Sequence, residues 1–83
     1  MNVSLEDVVK VVRGFVQQRK GTLANSLTAE SALLRDGYTD SFGLIELIGR
    51  LEKELSIDLP DGSLIPEDFE SPTVLWNRLQ EID

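Results

Sequence analysis

Between Ser41 and Leu55 the residues Leu44, Leu47, Ile48, Leu51 and Leu55 stand three and four positions apart. That spacing lines one face of an α-helix, and no strand register produces it. A helix with one apolar face has to bury it against other elements, so the rest of the chain must supply the cover. Two further stretches do. Leu5, Val8, Val9, Val12, Phe15 and Val16 follow Ser4 with the same period, with Lys10, Arg13 and Gln17 on the opposite side. The valines by themselves favour strands, but the alternation a strand requires fails at Val8 and Val9 and again at Val11 and Val12. Val74, Leu75, Leu79 and Ile82 form the third stripe, with Trp76 at its flank. Three amphipathic helices predict an all-α fold. With 83 residues there is room for one domain, spanning 1–83, because a fold this small buries roughly 60% of its unfolded surface and cannot support a second core.

The ends of these helices are also written locally. Ser4, with Asp7 three residues on, has the form of a capping box in which Asp replaces the usual Glu or Gln, so helix one is predicted over 4–19. Arg19 and Lys20 suit its C-terminus and Gly21 supplies the stop. From Gly21 to Asp40 the period is lost and a long loop is expected, pinned to the core by Leu23, Leu27, Leu33 and Leu34 and turning at Asp36 and Gly37. Loops longer than roughly 12 to 15 residues are uncommon in small domains unless they carry function. Helix two is expected to start at Asp40 and Ser41, to end near Ser56, and to present Glu46, Arg50, Lys53 and Glu54 outward. Asp61 and Gly62 mark a turn, Pro66 to Phe69 suits a single helical turn, and Ser71 and Pro72 read as the cap and first residue of the last helix.

Charge excludes some functions. Up to Arg35 the chain has three acids and five bases, whereas from Asp36 onward it has twelve acids and three bases. Such a half repels nucleic acid and anionic membranes and attracts basic protein surfaces, although a merely solvated acidic face has the same composition. With no Cys and no His there is no disulfide, no thiolate or imidazole metal site, and no usual general base. No catalytic residue and no metal site are predicted, since the carboxylates and hydroxyls have no activating partner. The stretch Met1 to Lys10 lacks a basic segment followed by an apolar run, and no segment approaches the roughly 20 apolar residues of a membrane span. A cytoplasmic monomer is expected.

One segment stands apart. Residues 36–47 read DGYTDSFGLIEL, which resembles the attachment site of acyl and peptidyl carrier proteins, where an Asp-Ser pair opens the second helix. The LEKEL ending of that helix, the IDLPDG turn, the PEDFE segment and the final amphipathic helix follow in the family's order, so the resemblance covers nearly the whole chain. The Asp-Gly ahead of Asp-Ser and the PEDFESP segment look most like small stand-alone carriers of the D-alanine carrier type. The resemblance implies an acyl-carrier-protein-like bundle of three main helices and a short fourth. It implies 4′-phosphopantetheine, taken from coenzyme A, on Ser41, and an acyl or aminoacyl thioester on that arm. The implied partners are a phosphopantetheinyl transferase, an adenylate-forming ligase and downstream acyl-processing enzymes of fatty acid or secondary-metabolite synthesis.

Within that resemblance Asp40 would help a transferase hold Mg²⁺ against phosphate, a role for one or two carboxylates. A serine at a helix N-terminus can project its hydroxyl into solvent, and the helix dipole tolerates a phosphodiester there. Phe42 stands where the family usually has Leu, and either docks a partner or folds back onto the core. Glu46 is either part of the surface that partners read or a solvated carboxylate. Gly43, Arg50 and Lys53 depart from the fatty-acid type, whose outer positions are often acidic, and Trp76 reads as an anchor rather than a cargo contact. The rival reading is an unmodified acidic helical interaction module in which Ser41 is only a cap.

Overall fold

The computed structural model describes residues 3–82, so the ends of the predicted domain, Met1, Asn2 and Asp83, lie outside the described residues. Three α-helices account for most of the chain: α1 (Leu5–Lys20), α2 (Ser41–Leu55) and α3 (Pro72–Ile82). Short 3-10 helices lie at Gly21–Ser26 and Pro66–Phe69, and the described residues contain no strand. The fold is the expected all-α bundle of three main helices with a short one at Pro66–Phe69.

The predicted caps form as the sequence suggests. The Asp7 amide donates to Ser4 Oγ at 3.0 Å while the Ser4 amide donates to Asp7 Oδ2 at 3.2 Å, so the shorter acid closes the capping box. At the other end Gly21 takes φ of 60°, a conformation that strains any side-chain-bearing residue, and α1 stops there. Ser71 Oγ accepts from the Val74 amide at 3.2 Å and starts α3.

The segment expected to be a plain loop differs at its start. After Gly21 the chain continues as a tighter 3-10 turn rather than leaving helical geometry, held by Leu27 N–H to the Ala24 carbonyl and by Ser26 Oγ to the Leu23 carbonyl. In that winding Ala24 turns inward and Leu23 stays 37% exposed, so Leu23 does not pin the segment. Leu27 and Leu33 are buried and Leu34 packs against the core, as expected of them.

The core gathers Val8, Val11, Val12, Phe15 and Val16 from α1, Leu44, Leu47 and Leu51 from α2, and Leu75 and Leu79 from α3, closed by Leu27, Leu33 and Phe69 from the connections. α1 packs against both other helices, whereas α2 and α3 have no Cα atoms within 8 Å of each other among the described residues. The Pro66–Phe69 turn fills the space between α2 and α3 and touches both, with Phe69 fully inside. α2 therefore leans on a helix along one flank and on a short turn along the other. Trp76 is half-buried and donates from Nε1 to the Val3 carbonyl at 2.7 Å, which makes it an edge anchor.

Candidate functional site

The approach to Ser41 is fixed by backbone hydrogen bonds. The Tyr38 and Thr39 amides both donate to the Leu33 carbonyl, at 3.0 and 3.1 Å, and the Leu33 amide donates to the Glu70 carbonyl. Gly37 turns the chain with φ of 78°, immediately after the predicted Asp36. Tyr38 is buried, and its hydroxyl meets Ser26 Oγ at 2.7 Å. The long connection is thus tied to the core at both of its ends.

Asp40 then caps α2. Its backbone is extended, and Oδ1 accepts from the Gly43 amide at 2.8 Å, which satisfies one of the donors a helix leaves unpaired in its first turn. Ser41 is the first helical residue and is exposed. The remaining amides of that turn and the helix dipole favour an anionic group at this end.

Gly43 is not on the outer face where the sequence reading put it. It is buried, and a Cβ there would collide with Thr39 Oγ1 and lie in ordinary contact with the Phe15 ring. The glycine lets the start of α2 seat closely against the buried Thr39 and against α1. Arg50 is likewise less outward than expected: its side chain is 28% exposed, pairs with Glu54 at 2.7 Å and donates to Gln18 Oε1 of α1 at 3.2 Å. Lys53 and Glu54 are exposed, as predicted.

Of the other site residues, Phe42 does not fold back onto the core; it is 85% exposed one residue beyond Ser41. Glu46 is exposed and accepts from Arg19 Nε of α1 at 3.1 Å, and that guanidinium lies 4.9 Å above the Phe15 ring. Two apolar side chains near Ser41 escaped the sequence reading. Ile45 is 75% and Ile65 52% exposed, and both line a cavity of about 180 Å³ together with Ser41, Leu44, Ile48 and Phe69. Ile45 was legible as an apolar residue off the buried stripe of α2; Ile65 lies in an aperiodic connection that carried no such signal. A second, larger hollow of about 410 Å³ continues along the same flank past Ile45, Ile48 and Gly49 toward Leu59 and Leu64.

No group of His, Cys, Asp or Glu among the described residues could hold a metal ion, and no described helix is long and apolar enough to cross a membrane. The site therefore offers an exposed hydroxyl at a helix N-terminus, an acidic neighbour, and an apolar hollow that begins beside it. No family model and no solved structure matches the chain. A similar protein is the acyl carrier protein of Buchnera aphidicola subsp. Baizongia pistaciae (strain Bp), 30% identical over 57 residues that make up 69% of this chain and 73% of that protein. With that relative, the all-helical fold and the helix-opening Asp40–Ser41 pair, the chain belongs to the acyl carrier protein family.

Proposed function

We propose that Ser41 Oγ is the attachment point of 4′-phosphopantetheine and that the chain carries an acyl or aminoacyl group on it, presenting that group to acyl-processing enzymes. The observation that carries this reading is the exposed Ser41 hydroxyl at the first position of α2, directly behind its Asp40 cap. The arm supplies a terminal thiol, and hence a thioester, to a chain that has no cysteine. In its attachment a bond forms between Ser41 Oγ and the phosphorus that coenzyme A carries on its pantetheine side. The pyrophosphate linkage breaks, adenosine 3′,5′-bisphosphate leaves, and the hydroxyl proton passes to a base of the transferase. The N-terminal end of α2 favours the resulting phosphodiester charge. Asp40 remains exposed beside it, where in a complex with the transferase it would share Mg²⁺ with the phosphates. The apolar hollows along α2 offer a carried chain partial shelter.

The chain itself catalyses nothing in this reading; it raises the effective concentration of cargo at each partner's site. The finer likeness to D-alanine carriers makes an adenylate-forming ligase the loading partner. Co-expression with a broad-specificity phosphopantetheinyl transferase, followed by intact mass, tests the central claim. The wild type should gain one arm and Ser41→Ala none. A wild type that stays unmodified, or a Ser41→Ala chain modified as fully as the wild type, leaves the unmodified interaction module as the better account. Incubating the modified chain with a D-alanine-activating ligase, ATP and D-alanine should add one alanyl group if the finer likeness holds.

A further inference from the structure

The C-terminal half carries twelve acids against three bases, which suggests an acidic docking face around Ser41. The distribution of those charges in space is different. α2 bears three carboxylates, and each is engaged inside the chain: Glu46 by Arg19 at 3.1 Å, Glu54 by Arg50 at 2.7 Å, and Glu52 Oε2 by the Leu59 amide at 3.1 Å. Against these three stand Arg50, Lys53 and the docked Arg19, so the surface of α2 is formally neutral. The surplus lies outside the helix, on the exposed Asp36 and its Asp40 cap before it and on the exposed Asp58, Asp61, Glu67 and Glu70 after it. Asp68 and Glu81 lie beside Arg78, at 3.6 and 3.5 Å.

Beyond the Asp40 carboxylate, the exposed side chains grouped near Ser41 are apolar. Phe42 and Ile45 are three residues apart, hence neighbours on the helix surface, and Ile65 approaches from the connection across the cavity that Ser41 and Ile45 share. These three make up most of the large apolar side chains that the described residues expose, the fourth being Leu23. Scattered surface apolars need no explanation, but three grouped at one exposed hydroxyl mark an interaction surface.

We propose that Phe42, Ile45 and Ile65 form the docking surface for enzymes that act at Ser41, and that the partner it fits presents an apolar cleft beside its active-site entrance rather than a basic patch. This rests on the reading that Ser41 carries the arm. The internal ion pairs are what select such a partner. A basic patch would find the α2 carboxylates already partnered and would meet the exposed Lys53, a like-charge approach that costs affinity. An apolar cleft gains from burying the exposed rings and methyls and loses nothing to that cation.

The test is the kcat/KM for the carrier in its modification by a broad-specificity phosphopantetheinyl transferase, at saturating coenzyme A. For the wild type it should change less than about twofold between low and high salt, since apolar contacts are not screened. Phe42→Ser and Ile45→Ser should each lower it by about tenfold or more, and Glu46→Gln by less than either. Thermal melts confirm that the exposed substitutions leave the fold intact, and the salt series needs no variant. A wild-type rate that falls steeply with salt, or a loss larger for Glu46→Gln than for the apolar substitutions, overturns the proposal. Equal rates for all the variants overturn it too. A wild type that is never modified defeats the attachment reading instead, so the two failures are told apart.

Discussion

α1 and α2 have the same amphipathic pattern, yet they spend it differently. In α1 the apolar side chains Val8, Val11, Val12, Phe15 and Val16 are buried, Leu5 and Val9 are half-buried, and the face left over is polar. In α2 Leu44, Leu47 and Leu51 are buried while Phe42 and Ile45 point away from the core. α1 lies between two helices and leaves no large apolar side chain fully exposed, whereas α2 has a helix on one flank and only the Pro66–Phe69 turn on the other. The apolar arc of α2 is wider than the core can use. The difference teaches that amphipathic spacing identifies a helix but not the purpose of each apolar residue on it.

The sharpest way to break this comparison is to truncate one phenylalanine on each helix. Phe15 is 0% exposed and Phe42 85% exposed, so Phe15→Ala should cost about 3–5 kcal/mol by denaturant or thermal unfolding, close to the whole stability of a domain this small. Phe42→Ala should move stability by less than about 0.5 kcal/mol. If both melted alike, the division into a structural and a functional helix would be lost.

Next come the two glycines of α2. Gly43→Ala gains helix propensity but forces a methyl into the buried Thr39 side chain, and it should destabilise by about 1–3 kcal/mol. Gly49→Ala meets nothing within 4 Å and should stabilise by about 0.5–1 kcal/mol. A gain at both positions would mean that α2 does not seat closely on Thr39.

Smaller, and most telling about function, is the pair of N-caps. Ser4 accepts from Asp7 and Asp40 from Gly43, so Ser4→Ala and Asp40→Ala should each lower unfolding free energy by about 1 kcal/mol. Intact-mass assays of phosphopantetheine transfer should separate them, with Asp40→Ala slowed and Ser4→Ala modified at the wild-type rate. Equal modification of the two would reduce Asp40 to a cap and nothing more.

Much of this architecture was legible because it depends on neighbours in sequence. The capping box at Ser4, the stop at Gly21, the turn at Gly37, the cap and start at Ser71 and Pro72, and the opening of α2 at Asp40 and Ser41 all involve residues within a few positions of one another. The 3-10 turn at Gly21–Ser26 was missed because its apolar residues, Leu23 and Ala24, are too few to show a period. Gly43 was misplaced because a helical wheel built on α2 alone has no means of knowing that Thr39 and Phe15 arrive against that position.

By itself the sequence determined that the chain forms three helices, where they start, and that a serine stands at the opening of the second; such features rest on local periodicity and local hydrogen bonds. Only the tertiary structure decided which flank of α2 meets α1. That placement pairs Arg19 with Glu46 across 27 residues and brings Ile65 to the cavity of Ser41 and Ile45. It also neutralises a helix that the charge count made part of an acidic half. Net charge is a sum over the chain, whereas docking depends on which charges remain unpaired at one place, and pairing is a property of the fold.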